Sequence, residues 1–315
     1  GDMELLERVA ASVNLGLAGR FAYMLALVAA GFGARRLGVL TSERNDRLGQ
    51  FAFYVLLPAL IFHSTYDKRL GELVSVRLVG GLFAVLGTLI ALSWVLNRGD
   101  DASIRSVAIV QSYHGNLGFF GVPVVAATLG SAATGTASVI LGLAALLHVP
   151  VTVLTLTTIN GADADLRREL RSIATNPVFL ALAIGLGFAT VGQSIPGAAD
   201  TGLGWLSTLA LPVALLAIGG SLRPTGDEVP LIRTGTVVGL KVLAMPLIAW
   251  LVFSGLGADA LTRNVGVVMF GAPTAVSTYV YAAELGGDSA FASVNVFATT
   301  VASIVSLFFL LTVIT

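Results

Sequence analysis

Apolar residues along this chain come in long stretches separated by short charged or Gly/Pro-rich segments. Because about 20 mostly apolar residues cross a hydrocarbon core, the pattern predicts ten membrane helices. They run from Leu15 to Ala34, Asp46 to Tyr66, Ser75 to Leu96, Ser103 to Leu129, Ala132 to Ile159, Asn176 to Val191, Leu203 to Leu222, Val229 to Ser254, Leu261 to Leu285 and Ser289 to Ile314. The longest hydrophilic connection, Asn160 to Thr175 with GADADLRRELRS, falls near the midpoint and reads as a short amphipathic linker. It separates two five-helix units, 1–159 and 176–315.

The two units echo each other. A shift of 156 places Gly31-Phe32 on Gly187-Phe188, Arg77 on Arg233 and Trp94 on Trp250, with AYMLALVAAGF opposite VFLALAIGLGF. Pro58 pairs with Pro212 and Arg105 with Arg263 at nearly the same offset, and recurrence at one period marks an internal repeat. Five spans is an odd number, so the second unit must enter the membrane upside down. The expected fold is therefore an all-α membrane protein with ten transmembrane helices as a 5+5 inverted repeat. Secondary transporters share this plan, with a substrate site near the midplane where helices are discontinuous.

Composition agrees with the pattern. Hydrophobic residues make up 56% and charged residues 11%, far from the balance of a soluble domain. The 18 acidic and 18 basic residues cancel, so no field points to a nucleic-acid partner. The absence of cysteine excludes disulfides, thiolate catalysis and Cys-ligated metals, and no cofactor is expected. Gly1 and Asp2 ahead of Met3 read as an appended remnant. The first apolar stretch is expected to remain as a span, because Glu4 and Glu7 replace a basic leader and no small-x-small cleavage site precedes Arg35 and Arg36.

Loop charge sets an expected orientation in the cell membrane. Arg35, Arg36, Arg44, Arg47, Arg98, Arg105, Arg167, Arg168, Arg171, Arg223 and Arg233 fall on one side, against Arg8, Arg20, Lys68, Arg69, Arg77 and Arg263 on the other. The positive-inside bias makes the first side cytoplasmic, with the linker inside and both termini outside. Trp94, Trp205 and Trp250 near helix ends fit interfacial anchoring in lipid, or equally surface packing.

Two spans carry helix breakers. In the fourth, YHGNLGFFGVPVV holds Gly115, Asn116, Gly118, Gly121 and Pro123; in the ninth, MFGAPTAVSTYVYAAELGG holds Gly271, Pro273, Thr274, Ser277 and Thr278. Pro123 lacks a backbone donor and disfavours helix at Val122, and the glycines permit unwinding or close helix approach. Unwound backbone is tolerated in a membrane only where protein or a water-filled cavity satisfies it. Two broken helices crossing at mid-membrane would aim half-helix N-termini, each partly positive, at one point that suits an anion. The plainer alternative is that these residues serve close packing and kinks.

Ionisable residues add to this. Nearly all carboxylates fall in loops or at span ends, Glu284 in a final turn among them, so the midplane acid of a cation antiporter is missing. Lys241 lies near the middle of the eighth span, in VVGLKVLAMP. At that depth it is expected to face the interior and meet carbonyls or an anion, unless it snorkels to an interface. His63, His114 and His148 are dispersed without metal-binding spacing and read as packed hydrogen-bonding residues.

Together, LLPALIFHS around Pro58, GNLGFFGVPVV around Asn116, TNPVFLALAIGL from Thr175 and GAPTAVSTYVYAAELGGD through Pro273 resemble the auxin efflux carrier family, which includes the plant PIN-type auxin exporters. The resemblance covers all ten predicted helices and implies a scaffold domain, a transport domain, crossed discontinuous helices 4 and 9, and elevator-like alternating access in a homodimer. It also implies that Asn116 and the Asn176-Pro177 pair border the pocket for the substrate carboxylate, that Pro273 is the crossover proline of helix 9, and that Lys241 occupies a position that is basic in relatives. The Asp and Lys that plant exporters carry on helix 3 have no equivalent in VRLVGGLFAVLGTLIALSW. The expected substrate is accordingly a small organic anion, auxin-like or of the malate and malonate type. Two other classes stand beside this. One is a sodium- or proton-coupled symporter of the bile-acid-carrier type. The other is an intramembrane enzyme, for which Gly287-Asp288-Ser289-Ala290 formally offers a G-x-S-x pattern without a nearby histidine.

Overall fold

The computed structural model describes residues 16–99, 101–223 and 230–314. Leu15 and the residues before it, and Val229 at the start of the expected eighth span, lie outside the described residues. Among the described residues the fold is all-helical, with no strand. We number the helices α1 Leu17–Arg36, α2 Ser42–Thr65, α3 Val76–Leu96, α4 Ala102–Tyr113, α5 Leu117–Leu129, α6 Ser131–Asn160, α7 Leu166–Ala174, α8 Pro177–Val191, α9 Gly197–Ser221, α10 Leu231–Gly255, α11 Ala260–Phe270, α12 Ser277–Glu284 and α13 Ser289–Ile314. Of these, α1, α2, α3 with the helical turn before it, α6, α9, α10 and α13 are each long and apolar enough to cross a membrane; the pair α7 and α8, bent by 50°, makes an eighth if counted as one. The expected fourth and ninth spans are each split into two short helices, and the expected sixth is a helix of 15 residues.

Local chemistry fixes the helix ends. Thr41, Ser75, Asp165 and Asp259 each accept a backbone N–H of the first turn that follows, supplying the partner that a helix start lacks. Gly161 and Gly192 end α6 and α8 with φ of 69° and 65°, a conformation that side chains with a Cβ resist. At Asp259, burial acts to raise the carboxyl's pKa, but hydrogen bonds from the N–H and hydroxyl of Thr262 and from neighbouring backbone outweigh it and hold the pKa below its ordinary value. A depressed pKa gives stability that is present above the unfolded value, ~3.9, and lost as the pH falls through the folded one. Asp259→Ala should thus cost about 1 kcal/mol at neutral pH. Melting curves of wild type and variant should converge in acid.

Three helices widen into a π-turn just before a proline: Ala52–Leu56 before Pro58, Leu117–Gly121 before Pro123, and Gly239–Ala244 before Pro246. A proline cannot donate to the carbonyl four residues back, and the widened turn absorbs the mismatch. Pro123 therefore does not break its helix, contrary to the reading of the sequence. The helix is interrupted earlier, at His114–Asn116.

The helices pack closely, and α2 lies against α6. α9 lies on α1 and α2, and α8 lies on α2; α10 and α11 pack together, and α4, α5 and α11 pack on α6. Between α1 and α9 glycines let backbones touch. A Cβ on Gly219 would overlap the Val28 carbonyl and come within 3.0 Å of Phe32 N, and one on Gly31 would sit 3.0 Å from Gly220 N.

Candidate functional site

The two interruptions meet. An antiparallel bridge joins Gly115 to Thr274: the Asn116 N–H donates to the Pro273 carbonyl at 2.7 Å and the Ala275 N–H to the His114 carbonyl at 2.9 Å. The Thr274 hydroxyl also donates to the His114 carbonyl at 3.2 Å, while the Thr274 N–H donates to Thr299 Oγ1 at 3.2 Å. Each break thus satisfies backbone groups that the other frees, as an apolar interior demands.

Two short helices start from this junction, α5 at Leu117 and α12 at Ser277. Both starts border the same two cavities. One, about 140 Å³, is lined by His114, Asn116, Gly118, His148 and Ser277 among others; the second, about 540 Å³, runs from Asn116, Phe119 and Ser277 to Asn45, Asp46 and Phe53 of α2 and Ser221 of α9. The Asn116 side chain is 7% exposed and carries no hydrogen bond to protein among the described residues. Its amide is free for a ligand. A carboxylate placed there would meet that amide and the partial positive ends of α5 and α12.

Lys241 is fully buried, which excludes the snorkelling alternative. Its ammonium donates to the Phe270 carbonyl at 2.8 Å, at the C-terminal end of α11, where the helix dipole favours a cation. It borders neither cavity that Asn116 lines. It stands directly behind the cavity wall: a Cβ on Gly115 would lie 3.3 Å from Lys241 Nζ.

The other expected site residues divide. Gly115, Asn116, Gly118 and Ser277 line the small cavity, and Pro273 and Thr274 build the junction. Pro123 instead faces a third cavity of about 620 Å³, with Leu60, His63, Lys68 and Asp200, toward the opposite end of α2. Asn176 caps α8 by accepting the Val178 N–H at 2.9 Å and lines neither cavity at the junction. The Gly287–Ser289 turn is a helix start in which Asp288 accepts the Phe291 N–H at 2.9 Å.

Sequence reading missed two groups. Asn45, Asp46 and Phe53 reach the 540 Å³ cavity from α2, and no local pattern marks them. His114 and His148 are neighbours, with ring centroids 4.6 Å apart and planes tilted by 31°. The position of His114 beside a predicted break was a usable signal, whereas His148 joins it only through tertiary packing.

Comparison with known proteins is consistent along the chain. Residues 20–311 match the membrane transport protein family. An uncharacterized transporter of Methanothermobacter thermautotrophicus is 30% identical over 295 residues, covering 90% of this chain and 94% of that protein. A Rhizobium meliloti protein provisionally named a malonate transporter is 26% identical over 291 residues, covering 87% and 90%. Family and relatives are transporters, so the enzyme alternative is set aside. The chain belongs to the membrane transport protein family, the auxin efflux carrier group whose motifs its sequence carries.

Proposed function

We propose that this protein is a secondary transporter for small organic anions, working by elevator-type alternating access with its substrate carboxylate held at Asn116 between the starts of α5 and α12. The observation that carries this reading is the meeting of two half-helix N-termini and an unpartnered asparagine amide at one cavity. The name of the Rhizobium meliloti relative supports malonate as a first substrate to try.

In this reading the ten spans form a 5+5 inverted repeat, with α4–α5 and α11–α12 as crossed discontinuous spans. Its support is that helix, break and helix recur: α11 starts 158 residues after α4, the same offset that relates Arg105 to Arg263. The group of α1, α2, α8 and α9 serves as scaffold and the remainder as the moving body, and the unit works as a homodimer. Lys241 supplies charge from behind the pocket, and Asn176 acts through the position of α8.

Two experiments test this. Asn116→Ala should weaken malonate binding by about 1–3 kcal/mol, the usual loss for a hydrogen bond to a charged group, with the melting temperature nearly unchanged; a lower melting temperature with intact affinity would make Asn116 a packing residue. For the inverted repeat, single cysteines at Ser172 and Ser194 in this cysteine-free chain should label from the cytoplasmic and external faces respectively. Labelling of both from one face would sink it.

A further inference from the structure

Behind Asn116, the small cavity is walled by two imidazoles that the transport reading leaves unused. His114 and His148 are 6% and 3% exposed, with ring centroids 4.6 Å apart and planes tilted by 31°. His114 Nδ1 pairs with Thr152 Oγ1 at 2.8 Å. Among the described residues His148 Nε2 is buried with no hydrogen-bond partner, so one imidazole nitrogen of the pair is open to a group that enters the cavity.

The groups around the pair decide what that is. From α4 comes Tyr113, whose hydroxyl lies 3.3 Å from Thr152 Oγ1. From α12 comes Tyr281, its ring centroid 6.5 Å from that of His114 and its hydroxyl donating to Glu169 of α7 at 3.3 Å. From α10 comes Lys241, behind Gly115. α5 carries no titratable residue, and among the described residues no carboxylate lines the small cavity, Asp46 facing the neighbouring 540 Å³ one. A protonated imidazole here would have a lysine ammonium nearby and no counter-charge on the cavity wall, which is expensive in a buried site. An entering carboxylate would supply that counter-charge, and a protonated imidazole would offer it a charge-assisted hydrogen bond. By linkage, each then strengthens the binding of the other by the same factor.

We propose that the adjacent His114–His148 pair is a proton-binding site that couples carboxylate transport to proton movement in the same direction. The proton comes from the solvent on the loading side, resides on an imidazole nitrogen while the carboxylate occupies the cavity, and leaves with it on the other side. This rests on the organic-anion reading above and adds the coupling ion to it.

The test is calorimetric titration of the purified full-length protein with malonate in buffers of different ionisation enthalpy, which separates proton uptake from binding heat. Wild type should take up about one proton per malonate, since a charge on one imidazole disfavours a second on its neighbour, and affinity should fall by up to about tenfold per pH unit as the solution is made alkaline. His148→Gln and His114→Gln should each reduce the uptake toward zero and flatten the pH dependence. Malonate binding without proton uptake in the wild type overturns the proposal while leaving the transporter reading intact, and needs no variant. Uptake that persists in both folded variants places the proton on the malonate or elsewhere and overturns it too. Absence of malonate binding at any pH overturns the anion reading and this inference with it.

Discussion

Lys241→Met is expected to lose carboxylate affinity by about 10- to 100-fold without a fall in melting temperature. The lysine is fully buried, with the Phe270 carbonyl as its hydrogen-bond acceptor. Removing the donor leaves that carbonyl unsatisfied, at about 1–3 kcal/mol. Removing the charge relieves a desolvation penalty of several kcal/mol, and methionine keeps the unbranched shape that fills the space. The two changes oppose each other, so stability holds or rises. Binding has no such offset. A unit charge behind the pocket wall contributes roughly 2 kcal/mol at an effective dielectric near 20, about 30-fold in affinity, and a dicarboxylate should lose more than a monocarboxylate. Affinities for malonate and acetate, with melting curves for both proteins, decide the matter. Unchanged affinity for both anions would leave Lys241 as a cap on α11 alone.

Gly219→Val should have the reverse profile. The site lies where α9 crosses α1, and even a Cβ there overlaps backbone atoms of Val28 and Phe32. Backbone cannot rotate aside as a side chain can. In membranes, close approach through small residues supplies much of what holds helices together. Alanine should cost about 1–3 kcal/mol by overpacking, and valine more, seen as a lower melting temperature and a smaller monodisperse fraction. Gly219 lines neither cavity at the junction, so the folded fraction should bind malonate normally. A variant that melts like wild type would show that α1 and α9 do not pack this closely.

These two residues show what a sequence can and cannot disclose. The apolar stretches mark most of the long helices to within a few residues, because period and length are local properties. The breaks were visible as Gly, Asn and Pro clusters, and Gly115, Asn116, Gly118 and Ser277 do reach one cavity. The break itself was misplaced within its cluster: Pro123 suggested Val122, but a proline in a first helical turn is tolerated once the turn before it widens. Asn176 looked like a pocket residue and caps a helix. Gly219 gave no local sign that it touches α1, and His148 none that it lies beside His114, because both depend on which helices become neighbours.

The cavities toward the two ends of α2 approach each other closely. One reaches Phe53 and the other Leu60, so the helix spans only about 10 Å between them at 1.5 Å per residue. A hydrocarbon core is ~30 Å thick, and a membrane voltage drops across the part of a path that water does not fill. Where water enters both cavities, the voltage concentrates across that thin septum. A carboxylate passing it would exchange about 2.3 kcal/mol with each 100 mV per unit of net charge moved, although it travels a third of the membrane's width. How steeply transport responds to voltage would then be set by the net charge of the loaded cavity, and hardly by how far the helices around it slide.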